Sequence, residues 1–393
     1  MRKVGVVHYD EIALKGGNRK LYEQALVTAI ARKIAQEKIP YTLSNRWGRI
    51  IIEPKTGATW RQDMDAVLQN ILQTTPGVAV FGFGIAVESE RECILAAVRY
   101  VAQYIEKDFE TFKIATTRTD KNFSISSQEM SKVAGSAAFE ILGDKKRVDL
   151  KNADLTIRIE ILTDIAYVYV RENGLSGLPV SSSGKAVALL SGGFDSPVAV
   201  HMCAVRGVRP ILVHFHAYPH TSRASLEKVE DLGRVLSNVC GPIVLYMIPL
   251  LEAQKEISFA APERLRVVLY RRLMMRVAEE IARKENGRAI ITGESVGQVA
   301  SQTLENMRAV GDATTLPIIR PLAGMNKREI IDRAREIGTH DISVLPHEDT
   351  CTVFMPKQPE TRATLEEVHE AEKLYDSKAL VAHMLKETEL IKL

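Results

Sequence analysis

The stretch Ala186-Val187-Ala188-Leu189-Leu190-Ser191-Gly192-Gly193-Phe194-Asp195-Ser196-Pro197-Val198-Ala199 decides the fold of the C-terminal half. Residues 186–190 are apolar without interruption, which predicts a strand buried on both faces. Two glycines then allow a tight turn, and Ser196-Pro197 opens a helix predicted over 196–206, proline being suited to a first helical turn. Amide groups of the turn and of the helix N-terminus point outward together and form an anion nest. A plain Gly-Gly turn with Asp195 or Ser196 as a helix cap would use the same residue types. Asp195 shifts the balance, because a carboxylate in a phosphate cradle repels its ligand unless a Mg²⁺ ion or a reacting group uses it. A Walker A loop is excluded: Gly184-Lys185 is followed by Ala186, not Ser or Thr, and Pro179 occupies the first glycine position.

Working outward, apolar strands are predicted at 210–216, 243–248 and 288–292, with helices at 223–238, about 263–285 and 295–308. This alternation predicts a doubly wound parallel sheet covered on both faces, with ligands beyond its C-terminal strand ends. Residues 172–184 hold three glycines and four serines with Pro179 and read as a linker. Upstream, helices at 18–35 and 61–73 interleave with strands at 4–9, 41–54 (two strands about a turn) and 78–87. The order β-α-β-β-α-β is the ferredoxin-like arrangement. A second α/β unit follows, with helices at 90–107 and 127–142 and strands at 111–118, 154–162 and 165–171. The expected division is 1–76, 77–171, the linker 172–184 and a catalytic region 185–393.

Apolar residues make up 46% of the 393, enough for several cores. The N-terminus shows neither a signal peptide nor a membrane span, so no membrane association is expected. Cys93, Cys203, Cys240 and Cys351 lie far apart, with no CxxC pair and no metal-ligand spacing. A reduced, cytoplasmic protein is the expectation. A net charge of +3 does not announce a nucleic-acid binder but permits a local basic face. Lys145-Lys146-Arg147 and the run Lys113, Arg118, Lys121 are candidates for such a face, and Lys15 to Arg19 form a glycine-rich basic turn. A solvated surface is the simpler reading of each charge run.

The motif SGGFDSPVA (191–199) resembles the PP-loop of the ATP pyrophosphatases, an adenine nucleotide alpha hydrolase-like fold that splits ATP between its α- and β-phosphates. Residues 9–19 (YDEIALKGGNR), 147–155 (RVDLKNADL), 292–303 (TGESVGQVASQT), 326–330 (NKREI) and Cys351 in HEDTCTVFMP resemble signatures of the tRNA 4-thiouridine synthetase (ThiI) family. The resemblance implies a ferredoxin-like domain, a THUMP RNA-binding domain and a PP-loop catalytic domain. It implies a tRNA sulfurtransferase acting on the uridine at position 8, which adenylates its O4 with ATP and Mg²⁺ and then replaces the oxygen by persulfide sulfur. Residue by residue, it assigns ATP contacts to Leu189, Leu190, Ser191, Gly192, Gly193, Asp195, Ser196, His214, Phe215, Arg271, Gly293 and Gln302. Asp195 and Lys327 are implied in adenylation and Cys351 in sulfur transfer. No dedicated metal-ligand set is implied. The basic residues Lys15, Arg19, Lys113, Arg118, Lys121, Lys145, Lys146 and Arg147 are the candidate tRNA contacts. Longer members carry a rhodanese domain with a second reactive cysteine. About forty residues without cysteine follow Cys351, so a short form is expected, with sulfur from a separate cysteine desulfurase. A homodimer and a sulfur supply for the thiamine thiazole are further family implications.

Simpler readings stand beside these. His214 and His216 alternate on one strand and suit core or rim histidines. Arg271-Arg272 suits a solvated helix edge. Lys327 sits in a first helical turn, where a cation opposes the macrodipole at about 0.3–1 kcal/mol. Glu348 and Asp349 would raise a Cys351 thiol, while His347 would offset them. Other PP-loop enzymes are the nearest rivals: a lysidine synthetase needs no reactive cysteine, and cytidine thiolases need the CxxC pairs missing here. An amidotransferase-type ligase would want a glutaminase domain, and a catalytically idle tRNA-binding protein would not need SGGFDS, TGES and Lys327.

Overall fold

The computed structural model describes all residues except Trp47, 347–353 and Met355. Cys351, with His347, Glu348 and Asp349, lies outside the described residues. The chain forms two compact units, Met1–Pro179 and Val180–Leu393.

The first unit begins with β1 (Arg2–His8), α1 (Arg19–Gln36), β2 (Tyr41–Arg46), β3 (Arg49–Pro54), α2 (Asp65–Gln73) and β4 (Val80–Glu88). These strands pair antiparallel in the order β2-β3-β1-β4, the ferredoxin-like arrangement. It continues with α3 (Arg91–Gln103), β5 (Thr111–Arg118), α4 (Ser127–Leu142), β6 (Arg147–Val148), β7 (Leu155–Ile161), β8 (Ile165–Val170) and β9 (Glu172–Asn173). β4 also pairs with β8, so a single nine-stranded sheet runs through both parts with no break at the expected 76/77 boundary. Gly84 makes this junction possible: a Cβ there would lie 2.0 Å from the Val168 carbonyl oxygen. Period-two alternation sends Ile157, Ile159 and Ile161 into the α3/α4 core and Arg158 and Glu160 to the other face. The 172–184 stretch is more structured than its composition suggests. Glu172–Asn173 pairs with β4, and Leu178 is buried in the core beneath α1.

The second unit alternates as predicted through β10 (Lys185–Leu189), α5 (Asp195–Val205), β11 (Arg209–His216), α6 (Arg223–Cys240) and β12 (Val244–Pro249). Then come α7 (Leu251–Ala260), α8 (Arg266–Glu285), β13 (Gly287–Ile291), α9 (Leu304–Gly311), β14 (Ile318–Ile319), α10 (Lys327–Glu336) and α11 (His340–Ser343). The C-terminal elements are α12 (Leu365–Glu372), α13 (Ser377–Lys386) and β15 (Glu389–Lys392). The sheet order is β14-β13-β10-β11-β12-β15, parallel except for β15, which closes the β12 edge antiparallel. Separate apolar cores cover its two faces, as continuous apolar strands require. Successive strands run outward from β10 to opposite sides, toward β11 and β13, so a crevice opens at the C-terminal end of β10. The helix expected over 295–308 is a loop with one 3-10 turn as far as Thr303, whose hydroxyl caps α9 by accepting from Asn306 N.

Candidate active site

At the C-terminal ends of β10, β11 and β13 a cavity of about 410 Å³ opens. Its wall contains Leu189, Leu190, Ser191, Gly193, Asp195, Ser196, His214, Phe215, Arg271, Gly293 and Gln302. Thus eleven of the twelve nucleotide contacts expected from sequence converge there; Gly192, the twelfth, is in the same loop. Residues from positions 189 to 302 meet because each lies near or beyond the C-terminal end of a parallel strand or faces it from α8.

The loop is held by its own serines. Ser196 Oγ accepts from Ser191 N at 2.8 Å and lies 3.1 Å from Ser191 Oγ, while Gly193 N donates to Ser191 Oγ at 3.4 Å. β13 ends against this loop, where Gly293 is obligatory: a Cβ would sit 2.7 Å from Ser196 N and 2.8 Å from the Asp195 carbonyl carbon. The Asp195 carboxylate accepts from Lys327 Nζ at 2.7 Å and from Gln298 Nε2 at 2.8 Å. Lys327 Nζ also lies 5.3 Å from the centre of the Phe194 ring. Its place is fixed by a capping box in which Glu329 N donates to Asn326 Oδ1 and Asn326 N donates to Glu329 Oε2, at 3.1 and 2.8 Å. The cation at a helix N-terminus is therefore offset by a carboxylate delivered from α5.

Glu294 is a determinant that sequence reasoning missed. Its side chain is 2% exposed and accepts from Arg271 Nη2 at 2.5 Å, Arg320 Nε at 2.6 Å and Thr292 Oγ1 at 2.9 Å. Burial alone would raise its carboxyl, but the Arg271 and Arg320 charges outweigh it and hold the group below the ordinary range. Breaking such a buried pair costs about 3–5 kcal/mol. The signal was the acidic third residue of TGES at a strand end. Arg271 thereby faces the cavity, with Nη1 donating to Ser301 O at 3.2 Å. Arg272, read as an equal candidate for a solvated edge, is only 1% exposed and pairs with Glu372 and Asp312.

His214 is buried, with Nδ1 2.8 Å from Leu190 O, the neutral tautomer donating there and leaving Nε2 as an acceptor. Burial lowers His214 to about 4, His216 to about 4 with the neighbouring His214 adding to the effect, and His201 to about 4 with Arg333 adding. The unfolded chain titrates these histidines near 6.5, so it binds more protons than the folded one between about pH 4 and 6.5. Stability is therefore present above 6.5 and is lost as pH falls toward 4. Urea midpoints measured from pH 7 to 4.5 should drop, and His201→Gln should flatten the dependence; an unchanged slope in that variant would refute the assignment. Cys203 and Cys240 are buried, and burial pushes Cys203 up to about 11, an inert thiol.

The basic residues of the first unit fall into groups. Lys113, Lys145, Lys146 and Arg147 share the β5/β6 edge, where Thr111 is paired with Arg147. Arg118 ends β5 and Lys121 lies just past it, roughly 16 Å along the strand from Lys113. Arg118 Nη1 donates to the carbonyls of Phe123 and Ile125 at 2.8 and 2.7 Å and braces that loop. Lys146 donates to the Phe109 carbonyl and lies 4.4 Å from that ring. Lys15 stacks on Tyr22, and Arg19 is engaged by Glu23 at 2.7 Å and donates to Tyr9 OH at 2.8 Å. Lys121, Lys145 and Arg147 are exposed. No described helix is long and apolar enough to cross a membrane.

A parallel sheet ending in a Ser-Gly-Gly-Phe-Asp-Ser loop at the edge of a cavity defines a PP-loop nucleotide-binding unit. The family model described as "Thiamine biosynthesis protein (ThiI)" matches residues 181–376, the THUMP domain 88–171 and the ThiI ferredoxin-like domain 4–81. The chain is 39% identical to a probable tRNA sulfurtransferase of Acetivibrio thermocellus, covering all of this chain and 99% of the relative. It is also 39% identical to one of Moorella thermoacetica, with 98% and 96% covered. A solved 4-thiouridine synthetase–RNA complex with bound ATP superposes over the full length of both chains with a TM-score of 0.87 and 33% identity. PH1313 from Pyrococcus horikoshii, 23% identical with a TM-score of 0.62, covers 86% of this chain and 99% of its own and shares the fold. The chain belongs to the ThiI family of tRNA sulfurtransferases.

Proposed function

We propose that this protein makes 4-thiouridine at position 8 of tRNA. The observation that carries the reading is the convergence on one cavity of a pyrophosphate-type loop and an Asp195–Lys327 pair at its edge. Uridine O4 attacks the α-phosphorus of ATP, the bond to the β-phosphate oxygen breaks and pyrophosphate leaves. Sulfide, or the terminal sulfur of a persulfide, then adds at C4, and AMP departs with the former O4. In the persulfide case an external thiol attacks the cysteine sulfur of the resulting C4–S–S–Cys bond, which frees the thiocarbonyl and leaves a disulfide. The adenosine is assigned to Leu189, Leu190, His214, Phe215, Arg271, Gly293 and Gln302, and the phosphates to residues 191–196. Gly293 permits that close approach. Lys327 is assigned to the charge that develops on the phosphates during adenylation.

Magnesium would enter with ATP. The Asp195 carboxylate is the hard oxygen donor that suits it, and the ion would neutralise phosphate charge. Cys351 is assigned as the persulfide carrier, with a cysteine desulfurase as donor. The exposed cations Lys121, Lys145 and Arg147, with Lys15, Arg19, Lys113 and Lys146, are assigned to tRNA phosphates, read by shape more than by sequence. Arg118 joins them only through the loop it braces. The ferredoxin-like and THUMP parts are assigned to tRNA docking and 185–393 to chemistry. A cytoplasmic homodimer and sulfur supply for the thiamine thiazole complete the proposal. Incubation with unmodified tRNA, ATP, Mg²⁺ and either sulfide or a desulfurase with cysteine should yield 4-thiouridine, seen by nucleoside mass spectrometry. Its absence with both donors would overturn the proposal.

A further inference from the structure

Gln298 stands in the loop between β13 and α9 and forms part of the cavity wall. Its Nε2 donates to Asp195 Oδ2 at 2.8 Å, while Lys327 Nζ holds Oδ1 of the same carboxylate at 2.7 Å. A carboxylate paired with an ammonium accepts hydrogen bonds and donates none. The amide therefore turns its NH₂ to Asp195, which leaves Oε1 as an acceptor. Among the described residues no donor meets that Oε1.

The loop is built to hold this side chain in place. Gly297 N donates to Gln302 O at 2.9 Å and Gln302 N to Val299 O at 2.8 Å, so the turn closes on itself. Ser295 Oγ donates to Met325 O at 2.8 Å, two residues before Lys327, which joins the backbones that carry both partners of Asp195. Beside Gln298, Val299 is also part of the wall yet 51% exposed, an apolar surface suited to the face of a base. Toward α6 and α11 the pyrophosphate-type loop is closed instead. The stem of Lys228 lies 3.4 Å from where a Gly192 Cβ would be, and Ser343 Oγ donates to Gly193 O at 3.4 Å. The uridine is therefore assigned to the cavity side, beside Gln298 and Val299.

We infer that Gln298 reads the N3–H of the target uridine, with Asp195 fixing which end of the amide faces the base. The inference rests on the uridine-thiolating function proposed above. In uracil, N3 and O4 are both bonded to C4, so a group beside Asp195 can meet N3–H while O4 faces the α-phosphorus. As the O4–phosphorus bond forms, positive charge develops on the ring and N3–H becomes a stronger donor. An oxygen acceptor there stabilises the transition state more than the ground state. The bond from phosphorus to the β-phosphate oxygen breaks, the N3 proton leaves to solvent, and its electron pair completes a C4–N3 double bond. Cytidine carries a lone pair at N3, which would face the Oε1 lone pairs and be repelled.

The test compares tRNA transcripts with uridine or cytidine at position 8, bound in the presence of α,β-methylene ATP, with pyrophosphate release from ATP measured on the uridine transcript. The parent should prefer uridine by about tenfold, the effect of one hydrogen bond made or opposed in a buried site. Gln298→Ala should bring that preference within about twofold and lower pyrophosphate release about 10–100-fold, with ATP affinity held within about threefold. Gln298→Met, which keeps the stem and removes both polar atoms, should behave alike if the alanine variant folds poorly. Both proteins meet the same two transcripts, so the change in preference reports on Gln298 and not on tRNA folding. Loss of turnover with the preference intact would reduce Gln298 to a brace for Asp195 and overturn the inference. So would a tenfold loss of ATP affinity, unchanged turnover, or a parent indifferent to the base. If the parent releases no pyrophosphate with the uridine transcript, the proposed function fails first; if it does and the variants keep the preference, only the role of Gln298 fails.

Discussion

Lys327→Met should lower tRNA-dependent pyrophosphate release by about 10²–10³-fold, equivalent to roughly 2.7–4 kcal/mol of lost transition-state stabilisation, while ATP binding is retained. Lys327 contacts the carboxylate at the cavity edge and is not part of the wall around the expected adenosine position. A charge that matters only as phosphate negativity develops affects the chemical step more than ground-state binding. The capping box does not depend on the Lys327 side chain, so the helix should survive. Rapid-quench measurement of pyrophosphate release, alongside equilibrium ATP binding, checks both halves. Unchanged turnover would remove Lys327 from the mechanism, and an equal loss of ATP affinity would make it a binding residue.

Gly293→Ala should have the second large effect. The added carbon meets backbone atoms of Asp195 and Ser196 at 2.7–2.8 Å, where no side-chain rotation gives relief. Overpacking of this kind costs about 1–3 kcal/mol. Here the displaced atoms belong to the amide cradle, so the loss should fall on ATP affinity as well as on thermal stability. Gly311→Ala is the matched control, its new carbon meeting Ile318 Cδ1 at an ordinary 3.6 Å. Equal ATP affinity in the two variants would show that the approach of β13 to the loop does not shape the site.

These expectations rest on parts of the site that were legible to different degrees in the sequence. The loop was legible because its letters encode backbone requirements: an apolar strand, two glycines, then a proline in the first helical turn. Its partners at 214, 271, 293 and 302 followed from strand ends and from family resemblance. Glu294 was hidden because its meaning lies in Arg271 and Arg320, 23 and 26 residues away, brought to it only by the parallel crossovers. Lys228 sits among Glu227, Val229 and Glu230 and reads locally as a solvated helix lysine; burial is conferred by α11, more than a hundred residues later. The loop at 295–303 carried a helical pattern, yet Gly297 at φ +74° and the Thr303 cap delay the helix to Leu304. That delay lets Gln298 reach Asp195. In the first unit the shared strand β4 was unreadable as such, since nothing local distinguishes an edge strand from one paired on both sides. Nor did the alternation of β7 show that Glu160 would be buried against His8 and Tyr169. Burial pushes that carboxyl up, but the His8 contact and neighbouring charges prevail and hold it at about 2.

The most direct test of the central claim uses unmodified tRNA and a matched transcript with cytidine in place of the uridine at position 8. Each is incubated with the protein, ATP, Mg²⁺ and sulfide, digested, and analysed by nucleoside mass spectrometry with pyrophosphate quantified in parallel. The predicted result is 4-thiouridine in the first tRNA with pyrophosphate released alongside it, and neither in the second. Pyrophosphate released equally from both, or sulfur incorporated without it, would contradict the account.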